Sequence, residues 1–553
     1  MLNNECKIET VVLNGSNEMF MRLPKELLKR DDIALIALGT SSCIRPVYFQ
    51  LLKANKLHQF FPFVISQQMY SGGYQNDKLS EYIENIIKLG GVSCIVLYTS
   101  CMERILNWDL NSLCRGLENP ENIPIKILFR GPLVQENYKN TYKTEKLFCD
   151  ILINKNKINP NHNLLQLPPL ATDFSGVSSF LQECNSTNYL LTPGGCGGCI
   201  KCCDGIGDNY RLKNTRINNA LFALGCKNAI LKAIKNDLPK NSKAFCALMS
   251  TPSLWVSGVD IERICQDLCS HDIAAINLDS NGFDSGVTGI DKGMFILEKK
   301  LFSKYTENKT KKVCIVGYSN LAMGLYQKIE HGAEHLERIG YQTEKWNFSD
   351  SNQCELPTLN WVVSSEGLKT AQWQETMFNV PYISGIPVGA HGMLKWRKEI
   401  NQKLNRDSEE TISIPDAAKK RPWQPNILII GEPLLNNGIK YFLCHEQGFH
   451  HILTSVYTAN TKHRNVYTTE NDDSIYFSSK NELIDKLLNI DIIIGDPIYK
   501  IVLQNNYKNA KFIEIPYPML SGKTFLNQDY CYFGKKGATY IMKNIDSIIN
   551  CNI

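Results

Sequence analysis

No window of the 553 residues approaches the ~18 uncharged apolar residues of a membrane-spanning helix, and the opening MLNNECKIETVVLNG has neither the basic head nor the apolar run of a secretory signal. These absences argue against a membrane protein and predict a cytoplasmic one. A charge excess is missing too: Lys+Arg 60 against Asp+Glu 55 leaves +5, and no basic block is interleaved with aromatics, so nucleic acid is not an expected partner. Nor is there a G-x-x-x-x-G-K-S/T loop to cradle nucleotide phosphates, which leaves any ATP-dependent step to another protein.

What the chain does have is length, 43% hydrophobic residues and twenty cysteines. The length is roughly three or four times that of a typical domain, so several buried cores are expected. In a compartment that keeps thiols reduced, twenty cysteines are metal ligands, redox groups or small buried apolar residues rather than disulfides.

Short runs rich in β-branched residues recur, each followed by a helix-like segment: IALIAL at 33–38, SCIVLY at 93–98, IKILF at 125–129, FCALM at 245–249, KKVCIVG at 311–317, NWVVS at 360–364, NILIIG at 426–431 and DIIIGD at 491–496. Continuous apolar strands alternating with helices predict an α/β fold of several Rossmann-like domains with parallel sheets. Polar stretches at 139–146 with 154–163, at 304–312 (KYTENKTKK) and at 404–425 are the expected junctions. They divide the chain into domains at 1–150, 165–305, 310–403 and 424–553.

The first two blocks read as copies. VSCIVLYTSCMERILNWDLNSLC (92–114) and KAFCALMSTPSLWVSGVDIERIC (243–265) align without a gap, setting Asp109 against Asp260, Cys114 against Cys265 and Cys101 against Pro252. Upstream, SSCIRPVYFQLLKAN (41–55) is set against TDFSGVSSFLQECN (172–185), which leaves QQMYSGG opposite PGGCGGC and Asp173 or Phe174 near the place of Cys43. In that alignment the thiols are complementary. Loops at the carboxyl ends of parallel strands converge on one crevice, so two facing units can pool Cys43 and Cys101 from one with Cys196 from the other into an iron–sulfur site.

TPGGCGGCIKCCDG (192–205) offers a second arrangement, because Cys196, Cys199 and Cys202 have the C-x-x-C-x-x-C spacing of a 4Fe–4S ferredoxin loop. Zinc and a metal-free thiol cluster remain alternatives, although a second C-x-x-C pair a dozen or more residues away is missing. Gly194, Gly195, Gly197 and Gly198 let backbone approach a cofactor and turn N–H groups toward sulfur.

Taken together, LTPGGC (191–196), STPSLWVSGVDI (250–261), LNWVVSSEGLKTAQWQETMFNVPYISGIPVGAHGMLKWRKEI (359–400), NILIIGEPLLNNGIKYFL (426–443) and IEIPYPMLSGKTFLNQDYCYFGKKGATYI (513–541) resemble, in order and spacing, the nitrogenase component 1-type oxidoreductases, which include the dark-operative protochlorophyllide reductases. YTSCMERILNWDL (98–110) resembles the same family's first-domain turn, so residues 1–150 look like a degenerate extra copy of domain I. The resemblance implies a cytoplasmic, anaerobic, electron-transferring protein with an iron–sulfur cluster, expected to be 4Fe–4S. It also implies an ATP-dependent iron–sulfur reductase as partner, and an oligomer with itself or with a second component 1-type subunit. The family's two iron–molybdenum cofactor ligands fall at Ser364 and Phe533, so reduction of an organic or tetrapyrrole-like substrate is expected rather than nitrogen fixation. A scaffold for cluster assembly and a silent subunit are the competing functions. His391 in PVGAHG and His445, His450 and His451 in FLCHEQGFHH are the candidate proton donors.

Overall fold

The computed structural model of the chain describes residues 8–12, 23–73, 76–131, 133–134, 148, 151, 157–193, 195–207, 211–238, 244–301, 304–347, 354–405, 421–458, 473–487, 489–526 and 531–550. The expected junction at 139–146 lies outside them, as do residues 406–420 of the one at 404–425. No helix among the described residues is long and apolar enough to cross a membrane.

Four parallel sheets follow one another along the chain. The first holds β1 (Ile8–Val12), β2 (Ile33–Gly39), β3 (Phe60–Val64), β4 (Cys94–Thr99) and β5 (Ile125–Phe129), in the order β1-β5-β4-β2-β3. The second holds β6 (Ser186–Leu190), β7 (Lys213–Asn214), β8 (Phe245–Met249) and β9 (Ala275–Asn277), in the order β7-β6-β8-β9. The third is built from β10 (Tyr305–Val316), β11 (Gln342–Lys345), β12 (Cys354–Val362) and β13 (Tyr382–Ser384), and the fourth from β14 (Ile427–Ile430), β15 (Ile452–Tyr457), β16 (Ile475–Phe477), β17 (Ile492–Gly495) and β18 (Lys511–Glu514). β2 and β4 are buried at every position, as expected of strands with helices on both faces.

The polar run 304–312 stands between helix Gly286–Leu301 and the third sheet, and it is strand rather than loop. It lies within β10, where Tyr305 pairs with Cys354 and Thr306 with Glu355; backbone pairing with β12 extends the strand although its side chains give no apolar signal.

Read from their second strands, the first two sheets have the same order, β3-β2-β4-β5 against β7-β6-β8-β9, with β1 as an added edge. The same faces also point inward. Val96, Tyr98, Ala247 and Met249 join one apolar cluster shared across the molecule, whereas Ile95 and Leu97 pack in a cluster of the first unit and Cys246 and Leu248 in one of the second.

The register corrects the upstream alignment. Ala37 pairs with Tyr98 and Leu190 with Met249. Six residues past Ala37 stands Cys43, and six past Leu190 stands Cys196. Helix Asp173–Phe180 precedes its first strand, whereas helix Ser41–Lys53 follows one, so the two are not equivalent. Asp173 accepts hydrogen bonds from the Phe174, Asn281 and Gly282 amides and ties down a loop.

Candidate functional site

The carboxyl ends of β2, β4, β6 and β8 present two pairs of equivalent positions, Cys43 with Cys196 and Cys101 with Pro252. Cys101 opens the short helix Cys101–Ile105, which Ser100 and Glu103 cap reciprocally, and Pro252 opens its counterpart Pro252–Val256. Gly131, at φ 126°, packs where a Cβ would lie 3.2 Å from the Cys101 sulfur; Gly282, at φ 82°, packs where a Cβ would lie 2.4 Å from the Pro252 ring. The edge of Tyr70 meets Phe283 at 5.7 Å between ring centroids, and Trp255 meets Phe283 at 5.2 Å, joining the two units beside this site.

The structure brings Cys43, Cys101 and Cys196 together. Burial pushes the Cys101 thiol well above its ordinary range, and charge on Cys196 and Cys43 pushes it further. Cys196 is raised to about 11 by burial and then by Cys43, against hydrogen bonds from the hydroxyls of Thr192, Ser253 and Thr251. Thr40 Oγ1 lies 3.7 Å from the Cys43 sulfur. Arg130 donates to the Cys43 carbonyl oxygen and lies over the Tyr98 ring at 4.5 Å. Cys101 and Cys196 resist ionising, and thiols so placed need a cation before they become thiolates.

Among the described residues, no group of three or more His, Cys, Asp or Glu is placed to hold a metal ion as it stands. A polynuclear iron–sulfur cluster is several ångströms across and spreads its ligands more widely than one ion does. The donor chemistry here, three mutually coupled thiols with hydroxyl donors around one of them, fits such a group.

The ferredoxin-like arrangement does not form. Cys199 turns inward, with its sulfur 3.9 Å from Ser175 Oγ, and a π-helical turn over Ile200–Asp204 leaves Cys202 exposed. Asp204, at the end of that turn, takes an ion pair at 2.5 Å from the fully buried Arg45, which also donates to the carbonyls of Pro169 and Leu520. Gly195, Gly197 and Gly198 line a cleft together with Cys202 and Cys203; Gly194 lies outside the described residues.

Of the candidate proton donors, His391 is buried at the start of helix Gly389–Lys403, with its amide donating to Glu446 Oε2 at 3.1 Å. The His445 ring lies tilted against Tyr441 at 4.3 Å between centroids and lines a cleft of about 580 Å³ between the third and fourth sheets, which His391 does not line. His450 and His451 are exposed. Ser364 Oγ donates to the Gly317 carbonyl oxygen at 2.6 Å, and Phe533 packs edge-on against Trp361 and Trp396. These two positions therefore do not suit the cofactor that the resemblance would place there.

Sequence reasoning passed over a buried carboxyl group pair. Glu366 and Glu432 follow β12 and β14, and Ser365 sits between them, donating its amide to Glu432 Oε1 at 2.8 Å and its hydroxyl to Glu366 Oε2. Burial, and for Glu432 the charge of Glu366, raises both toward neutral; burial holds nearby Asp291 up to about 6. The available signal was an acid directly after a buried parallel strand, in VVSSEG and LIIGEP.

The model of the nitrogenase component 1 type oxidoreductases matches residues 187–550. The chain belongs to that family. The match begins at β6 and leaves the first sheet outside it. In this nitrogenase component 1-type oxidoreductase, one structural similarity is to a chain titled "Nitrogenase Cp1 at pH 6.5", at 11% identity and TM-score 0.53, covering 70% of this chain and 93% of the other. A second, titled "Nitrogenase Cp1 at pH 5", has 14% identity, TM-score 0.49, and coverage of 69% and 88%. Comparison with the curated proteins gives no match.

Proposed function

We propose that the chain is the electron-accepting, substrate-reducing component of a two-component cytoplasmic reductase. Its partner is a separate ATP-dependent iron–sulfur protein, and Cys43, Cys101 and Cys196 hold an iron–sulfur cluster, of the 4Fe–4S type. The observation that carries this reading is the meeting of three thiols at equivalent strand ends of two duplicated units. When bound, such a cluster stores and relays single electrons. The residues of this chain supply the thiolates, the hydroxyls of Thr192, Thr251 and Ser253 that take up negative charge on the Cys196 sulfur, and the Arg130 cation beside Cys43. An organic substrate is favoured over dinitrogen because Ser364 is committed to Gly317 and Phe533 to two tryptophans. Glu366 and Glu432, neutral or singly ionised near pH 7, join His445 as candidate proton donors.

Pro252 favours a second reading. With no thiol at the fourth position, a cluster here either takes its last ligand from a second component 1-type subunit or is held loosely, as on an assembly scaffold.

Anaerobic purification with iron and sulfide analysis, electron paramagnetic resonance and a pull-down of the ATPase partner separates these readings. A reductase carries about one cluster per chain and cycles it, a scaffold releases it, and a silent subunit purifies with an incomplete one. Cys196→Ser is expected to remove that iron and abolish reduction. Unchanged iron in this variant, or zinc in its place, overturns the reading.

A further inference from the structure

The turn that carries Cys196 also walls a different space. Gly195, Gly197, Gly198 and Cys202 form one side of a cleft of about 1070 Å³; helix Ser41–Lys53 of the first unit and residues 523–525 after the fourth sheet form others. Its apolar surface comes from Leu28, Pro46, Phe49, Leu52, Ile501 and Phe525. Around that surface stand Lys25, Lys53, Lys201, Arg216 and Lys523, and no Asp or Glu lines it among the described residues. In a chain whose acids and bases nearly balance, 55 against 60, five cations with no acid is a strong local bias.

Arg216 adds an independent sign. Nine non-glycine described residues lie in the left-handed region; eight are Asn or Asp, which tolerate it, and the ninth is Arg216 at φ 49°. The backbone accepts an unfavourable conformation where it delivers a guanidinium to the cleft.

We propose that this cleft binds an organic polyanion: an aromatic or alicyclic body that lies against Phe49 and Phe525, with two or more carboxylate, sulfonate or phosphate groups that meet Lys53, Arg216 and Lys523. The volume is just above the ~300–1,000 Å³ of small-molecule sites, room for a large organic ligand. A bare anion forgoes the apolar surface and a neutral hydrophobe forgoes the cations. Identifying this ligand with the molecule that is reduced rests on the reductase reading; its binding does not, so the test needs neither cluster nor reductant.

Two exposed cysteines among the described residues make the test internal. Cys202 lies in the cleft and Cys269 lies outside it. The full chain is titrated with the disulfonate dye bis-ANS, with neutral N-phenyl-1-naphthylamine and with inorganic phosphate, and iodoacetamide labelling of each cysteine is followed by peptide mapping. Bis-ANS is expected to saturate one site per chain and to slow labelling at Cys202 by about tenfold while Cys269 keeps its rate; phosphate and the neutral amine protect neither. Charge reversal at two exposed positions, Lys53→Glu with Lys523→Glu, is expected to weaken bis-ANS by about tenfold or more. Absence of binding, unprotected Cys202, protection by phosphate alone, or undiminished affinity in the double variant overturns the proposal.

Discussion

The first two units share a strand order and the inward faces of their sheets, yet they differ where chemistry is placed. At the ends of equivalent strands the first unit offers Cys43 and Cys101 and the second Cys196 and Pro252. Beyond the first of these positions they diverge further: copy one runs directly into helix Ser41–Lys53, while copy two makes the glycine-cysteine turn. The shared strand order supplies one scaffold twice, and two differing loops leave thiols at three of its four positions.

The largest expected effect comes from altering that asymmetry. Cys101→Ser is expected to remove the cluster iron, as measured by iron per chain after anaerobic purification, because it leaves two thiols. Pro252→Cys restores the missing thiol and is expected to raise iron retention against a chelator. Equal iron content in the wild type and in both variants would show that the four positions are not one site.

A smaller effect follows from Arg45, whose equivalent by register is Gly198. Arg45→Met strands Asp204 as a buried charge beside Ser175, and a loss of about 3–5 kcal/mol in urea unfolding is expected. The double variant Arg45→Met with Asp204→Leu is expected to regain most of it. A single-variant loss under about 1 kcal/mol would show that the ion pair does not hold the first unit to the second.

Much of this organisation is legible in residues. The β-branched runs marked the strands because buried parallel strands have no polar face, and the gapless 92–114 and 243–265 pairing matched two units of the same strand order because a strand, a turn and a helix recur at fixed spacing. The alignment upstream slipped by one element because 41–53 and 173–180 both read as a turn that opens a helix, and only pairing register places each relative to its strand. The spacing of Cys196, Cys199 and Cys202 says nothing of burial, which differs: Cys199 is buried against Ser175, and Cys202, in a π-helical turn, is exposed. Glu366 and Glu432 escaped notice because their place just after buried strands was their one sign, and their pairing forms only where the third and fourth sheets meet.

Where the first two units bring thiols together, the third and fourth bring carboxyl groups, and these sharpen the comparison through pH. Both glutamates have folded pKa values raised above the unfolded range near 4.5. The stability that their protonated forms confer is full below that range and is lost as pH rises toward neutral and above, with a slope of at most about 1.4 kcal/mol per pH unit for each group. The melting temperature is therefore expected to fall between pH 5 and 8, and Glu432→Gln is expected to flatten the fall. A profile just as steep in Glu432→Gln would remove the pair from the account.

The glycines at the thiol site come next. Gly131→Ala and Gly282→Ala each force a Cβ into a left-handed position against a neighbour, at a cost of about 1–3 kcal/mol. The two losses are expected to be similar, but only Gly131→Ala, which pushes on the Cys101 sulfur, is expected to lower bound iron. Equal iron loss in both variants would mean that general destabilisation, rather than ligand placement, controls the cluster.

The smallest expected effect tests the duplication alone. Asp109 accepts the Ser112 amide at 2.9 Å and caps helix Leu110–Arg115, and Asp260 accepts the Arg263 amide at 2.9 Å and caps helix Ile261–Cys269. Neither aspartate touches a thiol, and both caps stand at the same place in their unit. Removing such a cap costs about 1 kcal/mol, because one amide at the helix start loses its acceptor. Asp109→Ala and Asp260→Ala are therefore each expected to lower stability by about 1 kcal/mol, additively in the double variant, since the caps share no partner. Iron content is expected to stay at the wild-type level in all three. A cap that costs nothing in one unit and its full value in the other would mean that the equivalence ends at the sheets, and that the helices beside the two crevices are held by different interactions.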